Sequence, residues 1–352
     1  MPYKVLIFGA GSVGNHHCFA CRSKGWQVDI FDHDLEALER MRTNIYPNRY
    51  GSWDPEIKLL NSLIRSKHYD LIIIGTPPDT HSILIEEALS AFHPKILMVE
   101  KPLCSPTLDD ISRLTELIQN TDTQCLVGYN HNLTEVTQRT IEILTSGSLG
   151  DPLSLHIRWQ EHWSGIFSAH PWLKNPGDSY LGWWERGGGA CSEHSHAISL
   201  WQHMADILHV GRIDQVTAVM DICKSEAYEY DRTTQLLLST NFGFKGSILL
   251  DVVTKPYQKT MRLQCKQGFL EWHTNFDEQN DAIKVGYENT PVETILFPKT
   301  RVNDFSPQIQ YIDDILSSRR SLTINSVTSG LDTMRIIYAA QLSNKNQETV
   351  NI

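Results

Sequence analysis

KVLIFGAGSVG, residues 4–14, decides how the rest of the chain is read. The apolar run from Lys4 to Phe8 suits a strand buried on both faces, and it stops at a glycine turn. Gly9, Gly11 and Gly14 stand as GxGxxG, and the residues from Asn15 to Lys24 have helical spacing. Strand, glycine turn and helix in that order let a pyrophosphate approach backbone amides at a helix N-terminus. Ser12 and Val13 supply such amides. The next apolar run, QVDIFD, ends in Asp32, about 20 residues on, where a carboxylate accepts hydrogen bonds from an adenosine ribose. That carboxylate repels a 2′-phosphate, and His33 and Asp34 beside it provide no guanidinium to bind one. The expected cofactor is NAD, with NADP disfavoured.

Outward from this turn the alternation continues. LEALERMRTNI (Leu35 to Ile45), HSILIEEAL (His81 to Leu89) and the stretch from Asp109 to Ile118 have helical spacing. LIIIGTPP, KILMVEKP and QCLVGYN read as strands. Uniformly apolar strands separated by helices predict a parallel sheet covered on both faces, in a doubly wound α/β domain of the Rossmann type. Beyond residue 130 the texture changes. After a helix from Glu135 to Ser146, segments such as LSLHIRW, QVTAVMDI, TTQLLLST, GSILLDVV and MRLQCK predict longer strands with few helices between them. That pattern indicates a largely antiparallel sheet. The expected division is an NAD-binding domain over residues 1–128 and a substrate-binding α/β domain over 129–352.

Composition narrows the partners. A chain of 352 residues can build two cores, and its net charge of -10 disfavours a nucleic-acid partner. Arg319 and Arg320 form only an isolated basic pair. No apolar stretch approaches the roughly 20 residues that span a bilayer, and the N-terminus lacks a cationic lead and cleavage site. The sequence therefore predicts a cytoplasmic protein with no membrane partner. Seven cysteines, odd in number and scattered, do not make a disulfide framework. Cys18 and Cys21 have CxxC spacing beside His16 and His17, but no second CxxC completes a zinc site. They read as small apolar residues packing the first helix on its sheet.

A second stretch resists a pure packing explanation: GGGACSEHSHAISLW, Gly187 to Trp201. On a strand, His194 and His196 would project together like a metal-binding pair. However, Ala197, Leu200, Trp201, Met204 and Leu208 recur at helical spacing, which sends the two imidazoles to opposite sides. No metal is expected. Glu193 and His196, three residues apart, can share a helical face. The triple glycine permits close approach of backbone to a cofactor or substrate just before them. His196 is the candidate general base, since an imidazole titrates near neutrality and can take a hydroxyl proton as hydride leaves carbon. Lys101 lies just beyond a strand's carboxyl end, where ligands bind in open α/β sheets, and can stabilise negative charge on a substrate oxygen. Trp159, Trp163, Trp172, Trp183 and Trp184 enrich the surrounding stretch in aromatic faces suited to a sugar ring, or to a core.

TPPDTH (Thr76 to His81), EKP (Glu100 to Pro102), GYN (Gly128 to Asn130), SGSLGDP (Ser146 to Pro152), the GGG segment and GLDTMRIIYAA (Gly330 to Ala340) resemble the glucose–fructose oxidoreductase and inositol dehydrogenase family, Gfo/Idh/MocA. So does His17, three residues after the last glycine of the turn. The resemblance covers essentially the whole chain. It implies an N-terminal Rossmann domain and a C-terminal α/β domain with a large open sheet, through which members commonly pair as dimers or tetramers. It implies cofactor contacts from Thr76, Pro77, His81, Glu100 and Lys101. It places Lys101, Asn130, His131, Trp172, Glu193 and His196 around a carbohydrate-like substrate, with Lys101, His196 and Glu193 catalytic. The family's common form has Asp with His four residues later. Here Glu193 precedes His196 by three, which resembles a minority Glu-x-Ser-His pattern of members linked to nucleotide-sugar or sialic-acid-like pathways.

The expected function is an NAD-dependent oxidoreductase that moves a hydride between nicotinamide and a secondary alcohol or ketone of a sugar, cyclitol or nucleotide-sugar. Two alternatives stand beside it: a redox-neutral epimerase or glycosidase-like enzyme using tightly bound NAD, and a non-catalytic dinucleotide-binding regulator.

Overall fold

The computed structural model describes residues 2–169, 173–299 and 304–352. The chain forms two compact units. The first comprises Met1–Cys104, Asp109–Asn130 and Thr300–Gly330; the second comprises Ser105–Leu108, His131–Lys299 and Leu331–Ile352.

In the first unit the strands are β1 (Lys4–Phe8), β2 (Gln27–Phe31), β3 (Lys58–Leu60), β4 (Leu71–Ile74), β5 (Ile96–Val99) and β6 (Gln124–Val127). Among the described residues they form one sheet in the order β3-β2-β1-β4-β5-β6, every pair parallel. Val5–Phe8, Leu71–Ile74 and Ile96–Val99 are all buried, as strands covered on both faces must be. Each buried aliphatic side chain contributes about 1.5–3 kcal/mol of transfer free energy, so the centre of this sheet is a main source of the unit's stability. The order reverses between β1 and β4, and open α/β sheets bind ligands at the carboxyl ends of their strands at such a point.

One covering element was not foreseen from the sequence. The helix Ser306–Leu316 returns to the first unit and buries Gln308, Ile309, Tyr311 and Ile312. Val127 N–H donates to the Asn325 carbonyl at 2.8 Å, and the Asn325 side-chain amide donates to the Tyr129 carbonyl at 2.8 Å.

The second unit contains β7 (Pro152–Gln160), β8 (Ile213–Ser225), β9 (Tyr228–Thr240), β10 (Lys245–Asp251), β11 (Gln258–Cys265), β12 (Gly268–His273), β13 (Asn280–Tyr287), β14 (Glu293–Pro298) and β15 (Val350–Asn351). They form one sheet in the order β14-β13-β12-β11-β7-β10-β9-β8-β15. The β7–β10 pair is parallel and the other pairs are antiparallel. The predicted parallel sheet and the predicted large, mostly antiparallel one are both present. Leu155, Ile157 and Trp159 alternate inward along β7, and the helix His196–Ile207 covers them with Leu200, Trp201 and Met204. Trp201 Nε1–H donates to the Leu155 carbonyl at 3.2 Å and locks helix to strand. No helix among the described residues is long and apolar enough to cross a membrane.

Candidate active site

In the first unit the glycine turn is built as its spacing predicts. Gly11 caps the helix Ser12–Ser23 with φ -75° and ψ -167°, and the first helical turn holds no acidic side chain. A Cβ on Gly14 would stand 2.0 Å from the Gly9 carbonyl oxygen, so helix and turn touch backbone to backbone. A Cβ on Gly11 would meet nothing within 4 Å. The turn therefore presents bare backbone to open space at a helix N-terminus, which fits a pyrophosphate. The Asn15 side-chain amide donates to the Ala10 and Gly11 carbonyls at 3.1 and 2.8 Å and holds the turn in shape. Asp32 closes the other side: its carboxylate accepts the Ala10 amide at 2.9 Å and the Asp34 amide at 3.0 Å.

Arg49 was not foreseen. The predicted helix Leu35 to Ile45 starts as Leu35–Arg40, capped by Asp34, passes through a π-helical turn Met41–Ile45 and continues as Tyr46–Tyr50. That extension brings the Arg49 guanidinium to the Ser12 carbonyl at 2.9 Å and the Ser12 hydroxyl at 2.8 Å. A cation at the positive end of a helix is unfavourable unless an anion joins it. Nothing in PNRY marks this arginine in the sequence, because the π turn that aims it has no spacing signature.

EKP and TPPDTH form one bracket. The Glu100 carboxylate faces His17 Nε2 at 2.6 Å and accepts the Lys101 amide at 3.3 Å. His17 is fully buried, so this carboxylate is the polar group that meets its Nε2. Buried His81 sets Nε2 2.8 Å from the Thr76 carbonyl and Nδ1 3.1 Å from the Pro102 carbonyl. Burial lowers its pKa, against the opposite pull of those carbonyls and of Glu100. The structure thus engages His81 and Glu100 in anchoring the loop that carries Lys101, which is half-buried and followed by a cis peptide to Pro102. The Thr76 hydroxyl pairs with that of Thr80 at 2.7 Å, and exposed Pro77 precedes the turn Pro78–Thr80. Asn130 donates its side-chain amide to the Asp304 carbonyl at 3.3 Å.

In the second unit GGGACSEHSHAISLW is not one continuous helix. A short helix, Gly189–Glu193, ends at His194, and a second runs from His196 to Ile207. The break follows from His194, which is buried with Nε2 2.9 Å from the Asp251 carbonyl. Glu193 accepts from the Tyr180 phenol at 3.2 Å. His196, at the head of its helix, stacks on Trp159 with centroids 5.7 Å apart and meets His131 edge-on at 4.9 Å. His131 also stands edge-on to Trp159 at 4.7 Å, and Trp159 stacks on Trp272 at 6.0 Å. Trp159 and Trp272 are fully buried, so they are the platform under the two imidazoles and present no face to a sugar. Lys259 lies 5.5 Å from the Trp159 ring and is paired with Glu161 at 2.6 Å. Trp172 lies outside the described residues. Among those described, no group of three or more His, Cys, Asp or Glu side chains is arranged to hold a metal.

Two of the three glycines, Gly188 and Gly189, let the protein's own groups approach the backbone closely. A Cβ on Gly188 would stand 2.3 Å from the Leu181 and Tyr180 carbonyl oxygens. Gly189, at φ +80°, packs on Asp231, a residue that the spacing of the stretch gives no reason to connect with it.

The sequence model of an oxidoreductase family with an NAD-binding Rossmann fold, GFO_IDH_MocA, matches residues 3–129, and that of the GFO/IDH/MocA C-terminal domain matches residues 137–271. The chain belongs to the Gfo/Idh/MocA family. Its first unit is accordingly an NAD-binding Rossmann domain. The 1-carboxy-3-chloro-3,4-dihydroxycyclo hexa-1,5-diene dehydrogenase of Comamonas testosteroni is 31% identical over 97 residues, 28% of this chain and 24% of that protein. The chain thus matches about a quarter of that relative's length. Levoglucosan dehydrogenase in complex with NADH is similar in fold, with a TM-score of 0.81 at 15% identity over 100% of this chain and 99% of that one. So is the WlbA dehydrogenase of Bordetella pertussis with NADH and UDP-GlcNAcA, with a TM-score of 0.71 at 18% identity over 100% and 99%. Membership in Gfo/Idh/MocA makes the chain an NAD-binding oxidoreductase.

Proposed function

We propose that this oxidoreductase is an NAD-dependent dehydrogenase acting on a secondary alcohol or ketone of a sugar, cyclitol or nucleotide-sugar. The observation that carries this reading is His196, half-buried at the head of its helix, packed on Trp159 and edge-on to His131. Buried Trp159, itself stacked on Trp272, lies against that imidazole. Bound nicotinamide would supply or take the hydride. His196 exchanges the hydroxyl proton, and Lys101, on a loop braced by Glu100 and His81, stabilises negative charge on the reacting oxygen. Glu193, fixed by Tyr180, orients substrate, while His131 and Asn130 border it. Amides of Gly11, Ser12 and Val13, with the guanidinium of Arg49, would hold the pyrophosphate. Asp32 would take the ribose hydroxyls, which favours NAD over NADP.

The relatives support the substrate class: a levoglucosan dehydrogenase and a dehydrogenase bound to UDP-GlcNAcA share the fold. A cytoplasmic homo-oligomer is the expected working form. The test begins with mass spectrometry of small molecules released from purified protein, followed by NADH formation on a panel of sugars, cyclitols and sugar nucleotides. His196→Ala should abolish turnover while fluorescence titration still detects NAD binding. Oxidation of a simple 2-hydroxy acid but of no polyol, or full turnover by His196→Ala, sinks the reading.

A further inference from the structure

The GGG turn is held by a side chain more than a strand away in sequence. Asp231, on β9, is fully buried. Its Oδ2 accepts the Cys191 amide at 2.8 Å and the Thr234 hydroxyl. Its Oδ1 lies against Gly189, where a Cβ would come within 2.0 Å of that oxygen. Gly189 and Cys191 open the short helix that ends at Glu193, and a carboxylate there complements the positive end of the helix. From this anchor to His196 the chain has little slack. Ala190, Cys191 and Ser192 are buried, and His194 is pinned to the Asp251 carbonyl.

We infer that Asp231 is a positioning residue for the catalytic half-site of the second unit: by fixing Gly189–Cys191 on β9 it sets where Glu193 and His196 stand. The inference rests on the proposed role of His196. Burying a carboxylate costs several kcal/mol unless donors compensate it, and an apolar side chain would fill the same space at less cost. Asp231 keeps its place because only an acceptor can satisfy the opening amides of this helix. Other titratable groups along this stretch include Cys191, Glu193 with the Tyr180 phenol on it, His194 against the Asp251 carbonyl, and His196 with His131 edge-on to it.

The experiment is proton–carbon NMR of the full-length protein carrying ring-labelled histidine, compared among wild type, Asp231→Leu, which fills the space without an acceptor, and Thr234→Val. The His196 signal is assigned by its loss in His196→Asn. Both variants should shift that signal and speed amide exchange across residues 189–196, by about tenfold or more for Asp231→Leu. The buried His17 and His81 signals, and NAD affinity, should stay as in wild type. A purely structural carboxylate would change global stability and leave the His196 signal in place. An unmoved His196 signal with unchanged exchange at 189–196 in folded Asp231→Leu overturns the inference. If that variant does not fold, Thr234→Val decides by the same criterion. Turnover by His196→Ala would remove the functional reading without touching this coupling, so the two failures are distinguishable.

Discussion

Alanine at Gly11 and alanine at Gly14 should separate what the glycine turn does for the fold from what it does for the cofactor. At Gly11 the backbone is extended and open to any residue, and the added methyl meets nothing within 4 Å. Alanine there gains about 0.4–1 kcal/mol from a less flexible unfolded chain and loses a comparable amount as a poorer helix cap. Stability should therefore stay within about 1 kcal/mol of wild type. At Gly14 the methyl would stand 2.0 Å from the Gly9 carbonyl oxygen, backbone against backbone, and the helix must move off the turn. Overpacking of that kind costs about 1–3 kcal/mol. Each kcal/mol lowers Tm by about 2–4 °C for a unit of this size. Binding should reverse the order of interest. The Gly11 methyl occupies the space a phosphate oxygen needs, and losing one charge-assisted hydrogen bond costs about 1.5–3 kcal/mol, or about 10–150-fold in Kd. Thermal unfolding without ligand and NAD titration by tryptophan fluorescence supply the two readouts. Gly11→Ala with wild-type affinity would refute the placement of the pyrophosphate, and Gly14→Ala with wild-type Tm would refute the packing.

Asp32→Asn keeps an acceptor for the Ala10 amide but removes the charge, so NADP should gain on NAD by about tenfold in the ratio of Kd values. An unchanged ratio would mean that Asp32 does not face the ribose. Six of the seven cysteines are buried and Cys223 is half-buried. Burial pushes the Cys104 and Cys125 thiols up to about 12, so a thiol reagent at neutral pH should label about one group per native chain and all seven in denaturant. Rapid native labelling of several would contradict that burial. Burial also raises the Asp231 carboxyl from 3.8 to about 7. The folded state then binds the extra proton between those values, so this group's stabilisation is full below about pH 4 and falls as pH rises to about 7. At about 1.4 kcal/mol per pH unit the loss totals about 4 kcal/mol. Urea unfolding between pH 5 and 8 should show that slope in wild type and lose it in Asp231→Asn; equal slopes would remove the buried charge as its cause.

Several features were legible because they are local. GxGxxG, the uniformly apolar runs and the change to longer strands after residue 130 follow from spacing that a strand or helix imposes on its neighbours. The first sheet and the mixed second sheet match those expectations. The site was legible only in outline. His17 and Glu100 could each be named, but their pairing across the sheet could not. Arg49 depends on a π turn, and the break at His194 depends on a carbonyl of β10.

Asp231 shows most sharply why sequence alone stopped short. Along β9, Thr234, Leu236, Leu238 and Thr240 alternate inward, and that phase would send Asp231 outward. The ladder slips where Asp221 pairs with Thr233 and Ile222 with Asp231, leaving Arg232 as an extra residue. One extra residue reverses the face of everything before it. The sequence by itself determined the two kinds of sheet, the glycine turn with Asp32, and the identity of Lys101, Glu193 and His196 as chemically capable residues. Only the tertiary structure decided which buried partners hold them, because a bulge, a π turn and the return of a distant helix set which segments meet, and the local spacing of the chain does not record that.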